Sequence, residues 1–306
     1  YLKLDDTIPI SEVAWRKGGS RMFLKLNSQI KVSDILRGII VQSGNDAAIA
    51  LAEHLEGSEE AFAEKMTLKA KELGLQNSTF KNATGWPNPD HLMTARDLSE
   101  LAILTIKRFP KLYSIYSETN FTHNKIKQGN RNPLLYKDMG ADGLKTGHTK
   151  AAGYGLTASV ERAGRRLVLV INGLSSARKR TIESQRVIEW GFREYVNHKV
   201  YDANDSVTDI DVWLGEATTV SALIESELLL TLKRSDKQKM KMIVNYDEPI
   251  TAPISKGQKV GTLTIQTPQN KVLTYPLVSS IGVERLNPFR RILAAINYLV
   301  WGSGDK

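Results

Sequence analysis

Cysteine is absent from the 306 residues. Its absence excludes disulfide scaffolds, zinc–thiolate sites and cysteine nucleophiles. Histidine is scarce. His54, His91, His123, His148 and His198 are scattered, with no pair at ligand spacing, so no metal site is expected. No cofactor motif is present either, and none is expected. No uninterrupted apolar run approaches the roughly 18 residues of a membrane-spanning helix. Acid is in deficit: 33 Asp and Glu stand against 42 Lys and Arg, a formal charge of +9. That charge favours an anionic partner, whether nucleic acid, membrane surface or acidic substrate. No basic–aromatic module accompanies it, so nucleic acid is not the expected partner. Hydrophobic content of 41% and charged content of 25% are those of a folded chain. A chain this long can bury a full core in one large domain or two smaller ones. It begins at Tyr1, without a Met or a signal-peptide pattern, and reads as a processed or cut chain.

The pattern of elements changes along the chain. Ser33 precedes a short apolar-periodic run (Ile35, Leu36, Ile39, Ile40) and is expected to cap a helix. Asp46 is expected to cap a second helix over Ala47 to Leu55. A tight polar link, Gln42-Ser43-Gly44-Asn45, joins these two apolar helices. Residues 59–73 predict another helix, 82–91 a Gly- and Pro-rich loop, and Thr94 a cap for a helix to about Arg108. Two strands are expected at Gly155 to Val160 and Leu167 to Ile171, joined by a turn at 161–165, then a helix from Ala177 to Tyr195. After about Val200 alternating runs predict an all-β region, with a boundary near 199–203. The last segment carries Leu286, Phe289, Ile292, Leu293, Ile296, Leu299 and Val300 at steps of three and four, with Pro288 in the first turn. This is one apolar helical face beside Arg285, Arg290 and Arg291. It suits either docking on the β region or lying in a membrane interface, and its basic and aromatic residues favour the membrane.

Chemistry concentrates in two short stretches. In Asp142-Gly143-Leu144-Lys145-Thr146-Gly147-His148-Thr149, a strand edge would present a fixed positive charge, a hydroxyl and a Gly. Lys145 and Thr146 suit a carboxylate, and Gly147 lets an extended substrate backbone approach as an added strand. The other stretch is Ser43-Gly44-Asn45. Ser-x-Asn alone is expected about once by chance in such a chain. Its place between apolar helices, about a hundred residues before Lys145, gives it weight.

Together with the runs LRGIIVQSGNDAAIALAEHL (36–55), TARDLSELA (94–102), GLKTGHTKAAGYGL (143–156) and EWGFR (189–193), these motifs resemble the low-molecular-mass penicillin-binding proteins, the serine D-Ala-D-Ala carboxypeptidases. The resemblance implies an α+β fold. A penicillin-binding/serine β-lactamase-like catalytic domain (1–200), an antiparallel sheet with helices, would precede a small all-β sandwich domain (201–283) and a C-terminal amphipathic helix (284–306). It implies catalytic roles for Ser43, Asn45 and Lys145. Ser43 would relay protons, Asn45 orient the acyl chain and Lys145 hold the site electropositive. Thr146 and Arg180 would bind the terminal carboxylate. Gly147 would let the substrate approach, and the backbone N–H of His148 would complete an oxyanion hole. Arg131 resembles a further family arginine near the site, with a surface ion pair as the competing reading. The implied partners are peptidoglycan stem peptides, β-lactams as covalent inhibitors, and the inner-membrane surface through residues 286–301. The implied location is the periplasmic face of the bacterial cytoplasmic membrane.

One element of the family pattern is missing from these residues. The chemistry needs Ser-x-x-Lys, a nucleophile with its base one helical turn later. Four literal matches occur: Ser28–Lys31, Ser78–Lys81, Ser176–Lys179 and Ser303–Lys306. None precedes the Ser43 motif at a suitable distance. The expectation is that the motif lies upstream of Tyr1 and that residues 1–306 alone form no acyl-enzyme. Three readings are open. The first is a carboxypeptidase removing the terminal D-alanine of pentapeptides. The second is a β-lactamase or endopeptidase on the same fold. The third is a catalytically inactive peptidoglycan-binding scaffold.

Overall fold

The computed structural model describes residues 2–247, 249–268 and 271–301, without the side chains of 237, 294, 295 and 297–301. The Ser303–Lys306 pair lies outside the described residues. The chain divides into two compact units, Tyr1–Phe192 and Arg193–Lys306. The division falls upstream of residues 199–203. Tyr195–Tyr201 forms a strand that pairs with Leu228–Lys233, and so belongs with the β-rich part.

In the first unit three antiparallel strands stand in the order Ala141–Thr149, Gly153–Arg162, Arg165–Leu174. The turn near 161–165 is a two-residue hairpin. Arg162 faces Arg165, and Ala163 and Gly164 both take positive φ, 48° and 73°. That is the backbone twist that matches two right-handed strands. Successive side chains of a strand point to opposite faces, so Val168 and Leu169 serve different cores. Leu169 joins Leu156, Ala158, Val160 and Ile188, the last from the Ala177–Glu194 helix. Val168 packs with Leu144 and with Ala102 of the Ala95–Arg108 helix. Helices thus cover both faces, and Ala141–Thr149 is left on the edge of the sheet.

The remainder of this unit is mainly helical. Thr7–Pro9 pairs with Gln29–Lys31, and the helices Val32–Ile40, Asn45–Glu56 and Glu59–Glu72 follow. Ile8, Ile35 and Ile49 are fully buried in one cluster with Met22 and Leu24. Burial of each such side chain contributes about 1.5–3 kcal/mol. Gly38 sets how closely the first two of these helices approach. A Cβ there would stand 2.2 Å from Met22 Sδ and 3.3 Å from Ala47 Cβ. Thr94 caps its helix as expected, accepting the Asp97 N–H at 3.1 Å.

Two expected caps are corrected. The Ser33 helix begins at Val32, with Lys31 as the capping residue and no side-chain cap. The Val32 and Ser33 N–H groups donate instead to the carbonyls of Asp6 (2.9 Å) and Leu4 (3.0 Å). Neighbouring backbone thus satisfies donors that a hydroxyl would otherwise serve. The second helix begins at Asn45, with Gly44 as its cap. Asp46 lies inside the first turn, fully buried, and its carboxylate reaches across the fold to Met22 and Leu24.

The second unit is β-rich. Six strands lie in one sheet, in the order Lys241–Asn245, Lys259–Gln266, Val272–Ser279, Thr219–Leu223, Ser206–Trp213, Ile250–Thr251. The Tyr195–Tyr201 and Leu228–Lys233 pair makes a second sheet. Leu228, Leu230 and Leu232 alternate inward and meet Ile210, Leu263, Ile265 and Leu277 in a common core. The Pro288–Trp301 helix follows. Its Phe289, Ile292, Leu293 and Ile296 are all exposed, 51–83%. Among the described residues no helix is long and apolar enough to cross a membrane.

Candidate active site

The Gln42–Asn45 link forms one wall of a cleft of about 1020 Å³ within the first unit. Its polarity follows from this place. Ser43 turns the chain with φ of 56°, the left-handed conformation. The Gly44 N–H donates to the Gly38 carbonyl at 2.9 Å, and the Asn45 N–H to Ser20 at 2.8 Å. Gln42, fully buried, donates through Nε2 to the Phe121 carbonyl. The link is therefore tied down on both sides, with the Ser43 side chain in the cleft.

The edge strand Ala141–Thr149 forms the facing wall. Lys145 Nζ donates to Ser43 Oγ, across 102 residues of sequence. Thr146, Gly147 and His148 continue along this edge into the cleft. Their other side pairs with Leu156, Gly155 and Tyr154. An edge strand keeps alternate N–H and C=O groups available to an added peptide strand. The His148 ring stacks on Tyr154, with centroids 3.9 Å apart.

Two arginines complete the wall. Arg180, on the Ala177–Glu194 helix, is only 9% exposed. Its guanidinium lies 5.9 Å from the Tyr154 ring and donates to the Arg131 carbonyl at 3.4 Å. Its buried Nε has no hydrogen-bond partner among the described residues. Arg131 donates to Ser20 Oγ at 2.5 Å, so its partner lies on the cleft wall rather than in a surface ion pair. Burial first, and then the charges of Arg131 and Arg180, pull the Lys145 pKa down to about 8. Among the described residues no carboxylate lines the cleft. Three cations without a counter-ion make it a site for an anion.

All eight residues singled out from the sequence therefore meet in one place: Ser43, Asn45, Arg131, Lys145, Thr146, Gly147, His148 and Arg180. The Ser-x-x-Lys matches do not. Ser28 donates to the Lys25 carbonyl, Ser78 is buried and donates to Asp97 at 2.6 Å, and Ser176 accepts the Lys179 N–H. None of these three serines lines the cleft. Sequence reasoning missed the supports of Arg131. Asn132 is fully buried, donates to the Gly143 carbonyl at 2.8 Å and accepts the Leu134 N–H. Asn130 donates to the carbonyls of Tyr116 and Glu118 and accepts the Asn132 N–H. The two amides hold Arg131 in register with the edge strand two residues before Lys145. The Asn-Arg-Asn pattern at 130–132 was the available signal.

An edge strand with Lys-Thr-Gly facing a Ser-x-Asn turn defines a serine acyl-transfer site of the penicillin-recognising class. Residues 1–176 match the family model for D-alanyl-D-alanine carboxypeptidase, and residues 195–285 match that for the penicillin-binding protein 5 C-terminal domain. The chain is 37% identical over 299 residues to the D-alanyl-D-alanine carboxypeptidase DacC of Escherichia coli (strain K12), covering 95% of this chain and 75% of that protein. It is 38% identical over 267 residues to the D-alanyl-D-alanine carboxypeptidase DacA of Haemophilus influenzae, covering 85% and 68%. The structure matches that of penicillin binding protein 5 from Haemophilus influenzae with a TM-score of 0.82 at 34% identity, over 93% of this chain and 84% of that one. The chain belongs to the D-alanyl-D-alanine carboxypeptidase family and is a serine-type carboxypeptidase. An E. coli D-alanyl-D-alanine endopeptidase is also similar, but at 32% identity over 62% of this chain. With the family model and the relatives that match most of the chain all carboxypeptidases, the β-lactamase, endopeptidase and scaffold readings are not favoured.

Proposed function

We propose that this cleft removes the terminal D-alanine from peptidoglycan pentapeptides, and that β-lactams occupy it as mimics of the D-Ala-D-Ala end. The observation that carries the reading is the Lys145–Ser43 hydrogen bond, made in a cationic cleft with no carboxylate among its described residues. The substrate lies along the edge strand as an added strand. Its terminal carboxylate meets Thr146 and Arg180, and Arg131 adds to the positive field. Asn45 orients the acyl side. Gly147 permits the backbone to approach. The His148 N–H helps to hold the oxyanion. A serine oxygen bonds to the penultimate D-alanine carbonyl, the peptide C–N bond breaks, and D-alanine leaves as the free amine. Ser43, held by Lys145, hands that amine its proton. Water then cleaves the ester and frees the serine.

The domain plan we propose is a catalytic domain that ends near Phe192, rather than at 200, a β-sandwich from Arg193 and the amphipathic helix Pro288–Trp301. The helix rests on the periplasmic face of the cytoplasmic membrane through residues 286–301. Support for this comes from exposed Phe289, Ile292, Leu293 and Ile296 beside exposed Arg290 and Arg291. Apolar side chains and neighbouring cations suit an anionic interface. No nucleic-acid partner is proposed.

Arg180→Ala tests the carboxylate site. A lost charged hydrogen bond is worth about 1.5–3 kcal/mol. The KM for a D-Ala-D-Ala peptide should rise about 10- to 100-fold, with a smaller change in kcat. The wild-type protein should prefer that peptide to its C-terminal amide, and the preference should shrink about 10- to 100-fold in the variant. An Arg180→Ala variant with an undiminished preference contradicts the reading.

A further inference from the structure

The cleft carries a large aromatic side chain from a loop that the proposed reaction does not use. Trp86, from the 82–91 loop, is 45% exposed and lines the cleft together with Ser43 and Asn45. Exposed loop tryptophans usually cost order to hold still. Here Asn82 does the holding: its Oδ1 accepts the Thr84 and Trp86 N–H groups at 3.2 and 2.9 Å, and its Nδ2 donates to the Trp86 carbonyl at 2.9 Å. Glu59 pins the base of the loop through the Ala83 N–H at 3.0 Å. The ring is a preformed apolar platform, which lowers the ordering cost of binding.

Trp86 also has a fixed relation to Asn45. A Cβ at Gly19, where φ is +79°, would stand 2.8 Å from Asn45 Nδ2 and 3.0 Å from Trp86 Cζ3. Asn45 itself donates to the Gly18 carbonyl at 2.9 Å. One patch therefore joins Asn45, the Gly18–Gly19 backbone and the indole. The Lys17 ammonium lies over the Trp86 ring, 4.9 Å from its centroid. Among the described residues Lys17 has no carboxylate partner.

We propose that Trp86 and Lys17 form a subsite for the residue on the acyl side of the scissile D-Ala-D-Ala unit, and that it selects an aliphatic side chain ending in a carboxylate. The methylenes lie on the indole face, and the carboxylate meets the Lys17 ammonium. This rests on the carboxypeptidase reading of the cleft, in which Asn45 marks the acyl side.

The test uses four peptides of the form acetyl-X-D-Ala-D-Ala and the protein expressed from its complete reading frame. X is L-2-aminoadipate, its side-chain amide, L-lysine or glycine, and kcat/KM is measured for each. The wild-type order should be carboxylate, then amide, then amine. Trp86→Ala should lower the three long-chain peptides about tenfold and leave the glycine peptide within about twofold. Lys17→Ala should reduce the carboxylate-over-amine preference by about threefold and leave the glycine peptide unchanged. An equal loss on all four peptides in Trp86→Ala would mark a merely structural role and overturn the proposal, as would no change on any. A wild-type protein indifferent to X overturns this subsite alone. A wild-type protein that releases D-alanine from none of them overturns the reading of the cleft as well.

Discussion

Lys145→Ala should lower kcat for D-alanine release by about 10³-fold, near the middle of the range for removing a proton-transfer or electrostatic partner. Two losses combine. Ser43 loses the donor that fixes its hydroxyl, and the substrate carboxylate loses one of three cations. The pH profile carries a separate signature. Burial and the adjacent arginines hold the Lys145 pKa at about 8, below the usual lysine value. The ammonium is the form that donates to Ser43 and attracts the carboxylate. It dominates below pH 8 and is lost as pH rises through 8. Wild-type kcat/KM should therefore fall on the alkaline side with a midpoint near pH 8. Lys145→Arg retains a charge that does not titrate in this range. Its residual activity should lack that limb. An alkaline limb unchanged in Lys145→Arg would assign it to another group.

The second large effect is on stability. Asp46→Ala should destabilise the first unit by about 3–4 kcal/mol, because the fully buried carboxylate is the acceptor for the N–H groups of Met22 (2.8 Å), Leu24 (3.2 Å) and Ala47 (3.0 Å). Each buried donor left unsatisfied costs about 1–3 kcal/mol, part of which relaxation recovers. For a unit of this size the Tm should drop by about 10 °C. Asp46→Asn keeps the oxygen but turns an amide toward one of the donors, and should fall between. The consequence reaches the chemistry, since Met22 and Leu24 follow Ser20, whose carbonyl holds Asn45 and whose hydroxyl holds Arg131. Thermal unfolding with near-wild-type Tm in Asp46→Ala would show that these bonds contribute little.

Asp46 also marks where the sequence stops being legible. Local signals read well. Thr94 caps through a donor three residues on, and the 163–164 hairpin follows from two flanking strands of matched period. The Ser43 and Lys145 motifs read through family resemblance, and the structure brings them together although 102 residues separate them. Ser33 and Asp46 carry the same local cap signal as Thr94, yet tertiary partners outcompete it. The carbonyls of Leu4 and Asp6 take the donors in one case, and the N–H groups of Met22 and Leu24 take the carboxylate in the other. Arg131 was ambiguous for the same reason. Its partner Ser20 lies 111 residues away, and no periodicity or capping rule spans that distance. The supports Asn130 and Asn132 donate to backbone carbonyls, so the Asn-Arg-Asn pattern names no side-chain partner.

The most direct measurement is D-alanine release from acetyl-Lys-D-Ala-D-Ala by the protein expressed from its complete reading frame, wild type beside Ser43→Ala. The account predicts release by the wild type. It predicts a kcat at least about 100-fold lower in Ser43→Ala, with KM changed far less, because Thr146 and Arg180 still hold the carboxylate. Undiminished kcat in Ser43→Ala, or no release by the wild-type protein, would contradict it.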